Sequence, residues 1–378
     1  MTDVIDRGMR PMLPLAVTDP AQERLLRACP GAGLPRDPGW RPASALERDW
    51  GRVLEVWEGY SPDPDIRFRA SSGGAATALA LWGLESAGYA GVAHVVQGEA
   101  AHLCRSTIST DRAGVLRALG SRYAPASPGE RLAELATLGS RGMLIGKPCD
   151  IAGARAAATL DPAIRECLGL TVAIFCAGVP STKATLNMMS AMGVDLESDG
   201  VDTVRYRGHG WPGLATVLGT KADGRALHAT LTYAESWGDV LAKHRQWRCH
   251  LCPDHTGEFA DISVGDPWYQ PTAGDPGRSL VVVRTLAGRE ALHAAMAAGY
   301  LQLERVDDDR LPASQPNLLR TRGAVFGRRL AMAAAGYPVP SFPGFALAGH
   351  WWSLSLREKL RSTLGTLRRL RKRGVRRR

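Results

Sequence analysis

The 378-residue chain contains no run of about eighteen apolar residues, so no membrane-spanning helix is expected. Residues Met1 to Pro20 hold no continuous apolar core of the length a secretory leader needs. Cysteine is scarce, seven residues and an odd number, which argues for reduced thiols in a cytoplasmic compartment. No internal repeat is present. The body also lacks an excess of either charge. Eleven Lys/Arg and one acid fall between Arg357 and Arg378, so residues 1–356 carry 36 of each sign and the net charge of +10 belongs to the tail. The basic balance therefore gives no ground for a general nucleic-acid-binding surface. With 45% hydrophobic and 22% charged residues, the chain has the composition of a globular protein able to bury one large core or two moderate ones.

Four cysteines carry most of the remaining information. Cys149 lies in Gly146-Lys147-Pro148-Cys149-Asp150 and Cys176 in Phe175-Cys176-Ala177-Gly178, each after a β-like apolar run. Cys249 and Cys252 form a CxxC followed by Pro253, a common close to an iron–sulfur or zinc ligand run. Two strand ends and one loop can converge on a single centre. From the residues alone, three readings stay open: a 4Fe-4S cluster on four thiolates, a small zinc site, or buried free thiols. His250 and His255 border the pair, where a role beside the ligands is expected. Cys29, Cys104 and Cys167 read as ordinary thiols.

A second candidate is Arg69-Ala70-Ser71-Ser72-Gly73-Gly74-Ala75-Ala76-Thr77, a small, hydroxyl-rich turn that opens a helix. Free amides and the positive helix end suit a phosphate, and Arg69 adds charge. The same residues also make a plain N-cap turn. Lys147 could stabilise a reduced, more negative centre, or be a solvated loop lysine. Tyr123, in Gly120-Ser121-Arg122-Tyr123, could contact a ring or simply pack. The stretch Arg205 to Gly213, with Arg207, His209 and Trp211, reads as an anion loop or a hairpin turn. Glu258, Asp261 and Asp266 read as groups that cap and hydrogen-bond the loop after the CxxC. No general acid or base stands out, and electron transfer needs none.

Together, Cys249 to Asp266 (CHLCPDHTGEFADISVGD), Gly146 to Asp150 and Arg69 to Gly74 resemble the coenzyme F420 hydrogenase/dehydrogenase beta-subunit family, from about Cys29 to about Arg320, in the family's order and spacing. The resemblance implies a flavin and iron–sulfur oxidoreductase. FAD would be held at Arg69, Ser71, Ser72, Gly73, Gly74 and Thr77, with Tyr123 and Lys147 beside it. A 4Fe-4S cluster would sit on Cys149, Cys176, Cys249 and Cys252. A redox partner protein or a small-molecule electron acceptor would complete the reaction. The N-terminal cysteine set common in the family is reduced here to Cys29, which implies no second cluster. Arg205 to Gly213 resembles a bacterial subgroup often found among polysaccharide-biosynthesis genes. The alternative is a non-redox binding protein, with zinc or no metal, that supports envelope or exopolysaccharide assembly.

Alternation of strand and helix patterns predicts a layered α/β fold with a mixed α+β second half. Four regions are expected: an irregular segment 1–52, a flavin-binding α/β region 53–200, a mixed region 201–337 carrying the CxxC loop, and a linker with a basic amphipathic tail, 338–378. Leu318–Ala335 reads as a helix interrupted at Gly323 and Gly327. In the tail, Leu356, Leu360, Leu364, Leu367 and Leu370 recur at helical spacing among arginines, after Trp351 and Trp352. That pattern fits a helix lying on an anionic membrane surface, at the inner face of a membrane, or one docked on the body.

Overall fold

The computed structural model describes residues 1–12, 19–269 and 274–373. Thirteen strands form three sheets among these residues. A hairpin, β1 (Thr2–Val4) and β2 (Gly8–Arg10), opens the chain. The main sheet contains β3 (Glu55–Tyr60), β4 (Val92–Gln97), β5 (Cys104–Ser109), β6 (Gly142–Gly146), β7 (Leu168–Ile174), β11 (Ile262–Gly265), β12 (Ser279–Val283) and β13 (Gln302–Arg305). A smaller antiparallel sheet holds β8 (Gly200–Arg205), β9 (Ala215–Thr220) and β10 (Ala226–Leu231).

The main sheet runs in the order β13-β3-β12-β11-β7-β6-β4-β5. Its centre, β11, β7, β6 and β4, is parallel, and both flanks are antiparallel. Strands buried on both faces are apolar throughout, as in Gly142-Met143-Leu144-Ile145. The two-residue period sends Met143, Ile145 and Val172 to one face, against the helices Ala75–Glu85 and Leu286–Ala297. Leu144 and Ala173 point to the other face, against Ile151 and Ala154 of the helix Pro148–Leu160. This is a helix–sheet–helix sandwich, the layered α/β fold expected from the sequence. The small sheet packs Val204, Ala215, Val217 and Leu227 on Met188 and Met189 of the helix Thr182–Ala191.

The glycines of the helix Leu318–Ala334 do not interrupt it. A Cβ on Gly323 would stand 2.7 Å from the His350 carbonyl oxygen, and one on Gly327 would strike Ser362 and Trp351. They are contact points that let the helices Leu347–Trp352 and Leu356–Arg373 approach closely. The segment read as a linker is also packed: Ser341 bridges to Gly33, and Phe342 and Phe345 bury against Leu34, Ala152 and Val325.

One buried ion triad joins the distant parts of the chain. Glu258 of the CxxC loop accepts from Arg36 Nε at 2.8 Å and from Arg322 Nη2 at 2.5 Å, with every side chain of the triad at most 6% exposed. Both guanidinium groups also lie over the Phe345 ring, at 4.4 and 5.5 Å. Removing one partner of a buried pair leaves an uncompensated charge. Glu258→Gln is therefore expected to lower unfolding stability by about 3–5 kcal/mol, measured by denaturant titration against the parent protein. A loss below about 1 kcal/mol would mean the triad is not structurally required.

Candidate functional site

All the parallel strands end on one side, where ligands bind in open α/β sheets. At that edge lies a cleft of about 310 Å³, lined by the turn Ala70–Thr77, the ends of β6, β7 and β11, and aromatic residues from the second half. Lys147 follows β6 and Cys176 lies two residues beyond β7, on adjacent strands in register at Gly146 and Ala173. Asp266 follows β11, next to β7.

The Ser71–Gly74 turn opens the helix Ala75–Glu85 through Gly74 in the left-handed region at φ 81°. Its hydroxyls are spent on structure: Ser71 Oγ accepts from the Ser121 amide at 2.5 Å, and Ser72 Oγ donates to the Arg278 carbonyl. Ser279 Oγ accepts from the Gly73 amide at 3.0 Å and approaches that of Ala75 at 3.4 Å. The amides of Ala76 and Thr77 have no acceptor in their own helix turn, and both residues line the cleft. Arg69 is turned away, paired with Asp65 at 2.8 Å on the exposed side, and is not among the lining residues. Gly73 is required for packing: a Cβ there would stand 2.5 Å from the Gly59 carbonyl oxygen and 2.7 Å from the Ser279 amide.

The opposite wall is basic and aromatic. Arg207 pairs Asp266 through two nitrogens at 2.9 and 2.8 Å, and Trp211 Nε1 donates to the same carboxylate at 2.8 Å. The guanidinium lies 5.1 Å from the Tyr233 ring and 5.4 Å from Trp268, which stack on each other. Burial works against its charge, but Asp266 outweighs it and raises the pKa. Tyr123 joins this wall through Trp237, ring to ring at 4.8 Å. Sequence reasoning named Tyr123, Arg207 and Asp266 but not Tyr233, Trp237 or Trp268, which have no shared motif. It also missed His94, in the cleft floor, bonded to Ser109 Oγ at 2.7 Å and held neutral by burial, with its pKa down to about 4.

The cysteine site borders this cleft. Cys176 and Lys147 belong to both. Cys176, Cys149, Cys249 and Cys252 all lie close enough that ionising one opposes ionising the others. Burial, then neighbouring negative charge, lifts Cys149 to about 11; burial, then the other thiols, lifts Cys176 to about 12. Cys252 is pushed well above the usual thiol range for the same reasons. All four are free of disulfides. Among the described residues, no three His, Cys, Asp or Glu converge on one ion-sized point. Four clustered sulfurs whose charges repel one another suit a polynuclear cationic centre that takes one thiolate per corner. Lys147 places its ammonium beside them, 2.5 Å from Asp150 Oδ2 and 2.9 Å from the Ala126 carbonyl. Burial disfavours that charge; Asp150 and the Cys149 thiol more than offset it.

The loop after the CxxC is held from within and without. Asp254 accepts from the amides of Thr256, Gly257 and Glu258, and burial raises its pKa to about 6. Arg322 Nε donates to the Pro253 carbonyl at 2.8 Å. The fully buried Arg284 donates to Ser263 Oγ, the Thr256 carbonyl and the carbonyls of Trp50 and Arg52. Asp261 accepts from Arg155, Thr171 and Thr285. Glu258 and Asp261 are thus loop anchors. His255 bonds the Cys176 carbonyl through Nδ1 at 2.9 Å, while its buried Nε2 has no partner and the residue lines the cleft. Burial holds it neutral, with a pKa near 4. Cys29 is exposed, Cys167 is buried, and Cys104 Sγ accepts from Arg122 Nε at 3.1 Å.

Comparison with known proteins agrees with this arrangement. Residues 140–309 match the family of C-terminal regions of the coenzyme F420 hydrogenase/dehydrogenase beta subunit, and residues 56–133 match its N-terminal counterpart. The coenzyme F420 hydrogenase subunit beta of Methanococcus voltae is 26% identical over 255 residues, 65% of this chain and 82% of the relative. That of Methanosarcina barkeri (strain Fusaro / DSM 804) is 26% identical over 275 residues, 68% and 84% of the two chains. A chain of the F420-reducing NiFe hydrogenase complex from Methanosarcina barkeri superposes with a TM-score of 0.59 at 23% identity, covering 77% of this chain and 96% of that one, which places the fold. The chain belongs to the coenzyme F420 hydrogenase/dehydrogenase beta-subunit family and is an oxidoreductase of that type.

Proposed function

We propose that the protein is a flavin and iron–sulfur electron-transfer subunit, with FAD in the cleft and a 4Fe-4S cluster on Cys149, Cys176, Cys249 and Cys252. The supporting observation is that Cys176 belongs to both sites: it lines the cleft and shares the electrostatic environment of the other three thiols. When bound, the flavin supplies two-electron chemistry and the cluster single-electron transfer. The protein's own residues do the positioning. Ala76 and Thr77 offer helix-end amides to a phosphate. Tyr123, Tyr233, Trp237 and Trp268 form an apolar wall for a planar ring and exclude water. Lys147 holds a positive charge where negative charge would accumulate on reduction. The named relatives are hydrogenase beta subunits, and the structural neighbour comes from a hydrogenase complex, so a redox partner protein or a small-molecule acceptor takes or gives the electrons.

Anaerobically purified protein is expected to show a flavin band near 450 nm over a broad cluster absorption, with about four irons per chain. Cys252→Ser is expected to lose most of the iron while retaining flavin. Stoichiometric zinc without iron, or a colourless protein after anaerobic reconstitution, would overturn the assignment and favour the non-redox alternative.

The flavin position has its own test. Gly73 is unsuitable, because its replacement would strike the backbone of β3 and β12. Ala76→Leu instead fills the cleft mouth, and is expected to cut flavin occupancy several-fold with an unchanged far-ultraviolet circular dichroism spectrum. Full occupancy in that variant would place the cofactor elsewhere.

A peripheral membrane role fits the tail. The helix Leu356–Arg373 leaves Leu356, Leu360 and Leu364 at least half exposed, beside Trp352 at 68%, while Leu370 is buried against Leu251 and Met332. The stripe is thus divided between docking and exposure. No described helix is long and apolar enough to cross a membrane. The exposed leucines among arginines suit an anionic lipid surface. Replacing Leu356, Leu360 and Leu364 with Gln in the full chain is expected to abolish sedimentation with anionic vesicles and to leave the melting temperature unchanged. Vesicle binding that survives would count against this role.

A further inference from the structure

His94, on β4, is 6% exposed and lines the cleft. Its Nε2 lies 2.7 Å from Ser109 Oγ at the end of β5. The buried Ser109 hydroxyl has no other acceptor among the described residues, so it donates to Nε2. A neutral imidazole then carries its proton on Nδ1. Burial, then the nearby Arg117 charge, takes the pKa down to about 4 and keeps the ring neutral. Nδ1 has no partner among the described residues and is not closed over by protein. The fold thus aims one uncharged N–H donor into the cleft.

The surroundings of this donor are small and apolar. Ala76 and Ala80, one turn apart on the helix Ala75–Glu85, pack in one cluster with Val115, and all three line the cleft together with Ala118. Alanines in these places leave a slot for a flat ring. An uncharged donor suits a neutral ring nitrogen, whereas a phosphate is met best by a charged partner. The slot is also distant from the aromatic wall. Trp268 follows β11, and β4 stands three strands from β11, about 14 Å along the sheet. Two rings joined through a ribose and a pyrophosphate can span that separation. Given the flavin reading of the cleft, on which this depends, we propose that the slot holds the adenine end of FAD, with His94 Nδ1 donating to a ring nitrogen of the base. The free amides of Ala76 and Thr77 then meet the phosphates between the two rings. His94 is in this way the residue that selects the dinucleotide over the mononucleotide FMN.

The test titrates flavin-free full-length protein with FAD, FMN and ADP in a calorimeter. ADP carries the base and phosphates without the flavin ring. FAD is expected to bind about tenfold or more tighter than FMN, and ADP to bind and to be displaced by FAD. His94→Phe keeps a ring and removes the donor. It should weaken FAD and ADP about tenfold, the scale of one hydrogen bond, and leave FMN unchanged. A merely structural role for His94 would weaken all three together. Ala118→Leu fills the slot from its partly exposed side and decides the matter should the His94 variant fail to fold. It too should weaken FAD and ADP but not FMN. Absence of ADP binding, an equal loss of FAD and FMN, or FAD affinity that neither variant alters overturns the base site and leaves a flavin in the cleft. ADP binding that depends on His94, with neither flavin bound, keeps the base site and overturns the flavin assignment.

Discussion

The pairing of Glu258 with Arg36 and Arg322 is the constraint on which the rest of the molecule leans. It draws a residue from the N-terminal segment, one from the CxxC loop and one from the long C-terminal helix into one buried point. None of these segments is a strand of the main sheet. The pairing joins other long-range bonds to the loop carrying Cys249 and Cys252, from Arg284 to the Thr256 carbonyl and from His255 to the Cys176 carbonyl. Side chains on a loop keep one geometry only when a supporting shell locks them. Arg284 and Asp254 complete the shell, one from β12's end and one from within the loop. The charges cost desolvation. Each carboxylate and guanidinium in the shell recovers part of that cost through several hydrogen bonds rather than one.

Much of the architecture was legible because the central strands are unambiguous. Gly142-Met143-Leu144-Ile145 and Leu170-Thr171-Val172-Ala173 are short, apolar and bounded by turn residues, which is how buried parallel strands read. The small sheet was equally plain, since Asp223-Gly224 and the Gly/Pro turns set its register. What misled was glycine. Gly323 and Gly327 look like breaks by propensity, yet tertiary packing outweighs about 1 kcal/mol of helix cost when a neighbouring backbone needs the space. The packed course of Ser341 to Phe345 was hidden for a similar reason: its proline content predicts a linker, while its burial depends on partners hundreds of residues away.

The site was legible in the half that follows strand ends. Lys147, Cys149 and Cys176 sit where the chain leaves the parallel sheet, so their convergence follows from strand adjacency once the strands are assigned. The aromatic wall was not. Tyr233, Trp237 and Trp268 come from a turn of helix after β10 and a loop after β11, and no spacing relates them. The hydroxyls of Ser71 and Ser72 teach the opposite lesson. They look like phosphate contacts in sequence, but they are spent fastening the turn to Ser121 and Arg278. What remains to meet an anion there is the backbone, which any small residues could supply.

Charge separation organises the two ends of the molecule differently. Around the cleft two cations each have a carboxylate of their own: Lys147 has Asp150, and Arg207 has Asp266. Such paired groups hold geometry with little net field. In the last helix the balance is different, with Glu358 the one acid among many arginines and lysines. That imbalance follows directly from the sequence, where all the net charge lies beyond residue 356 while the body is neutral. The fold buries Ser362, Thr366 and Leu370 of that helix against the body and leaves Leu356, Leu360 and Leu364 exposed. One amphipathic helix therefore offers two chemically distinct surfaces. Its attachment to the body through Ser362, Thr366 and Leu370 fixes which faces are available to each.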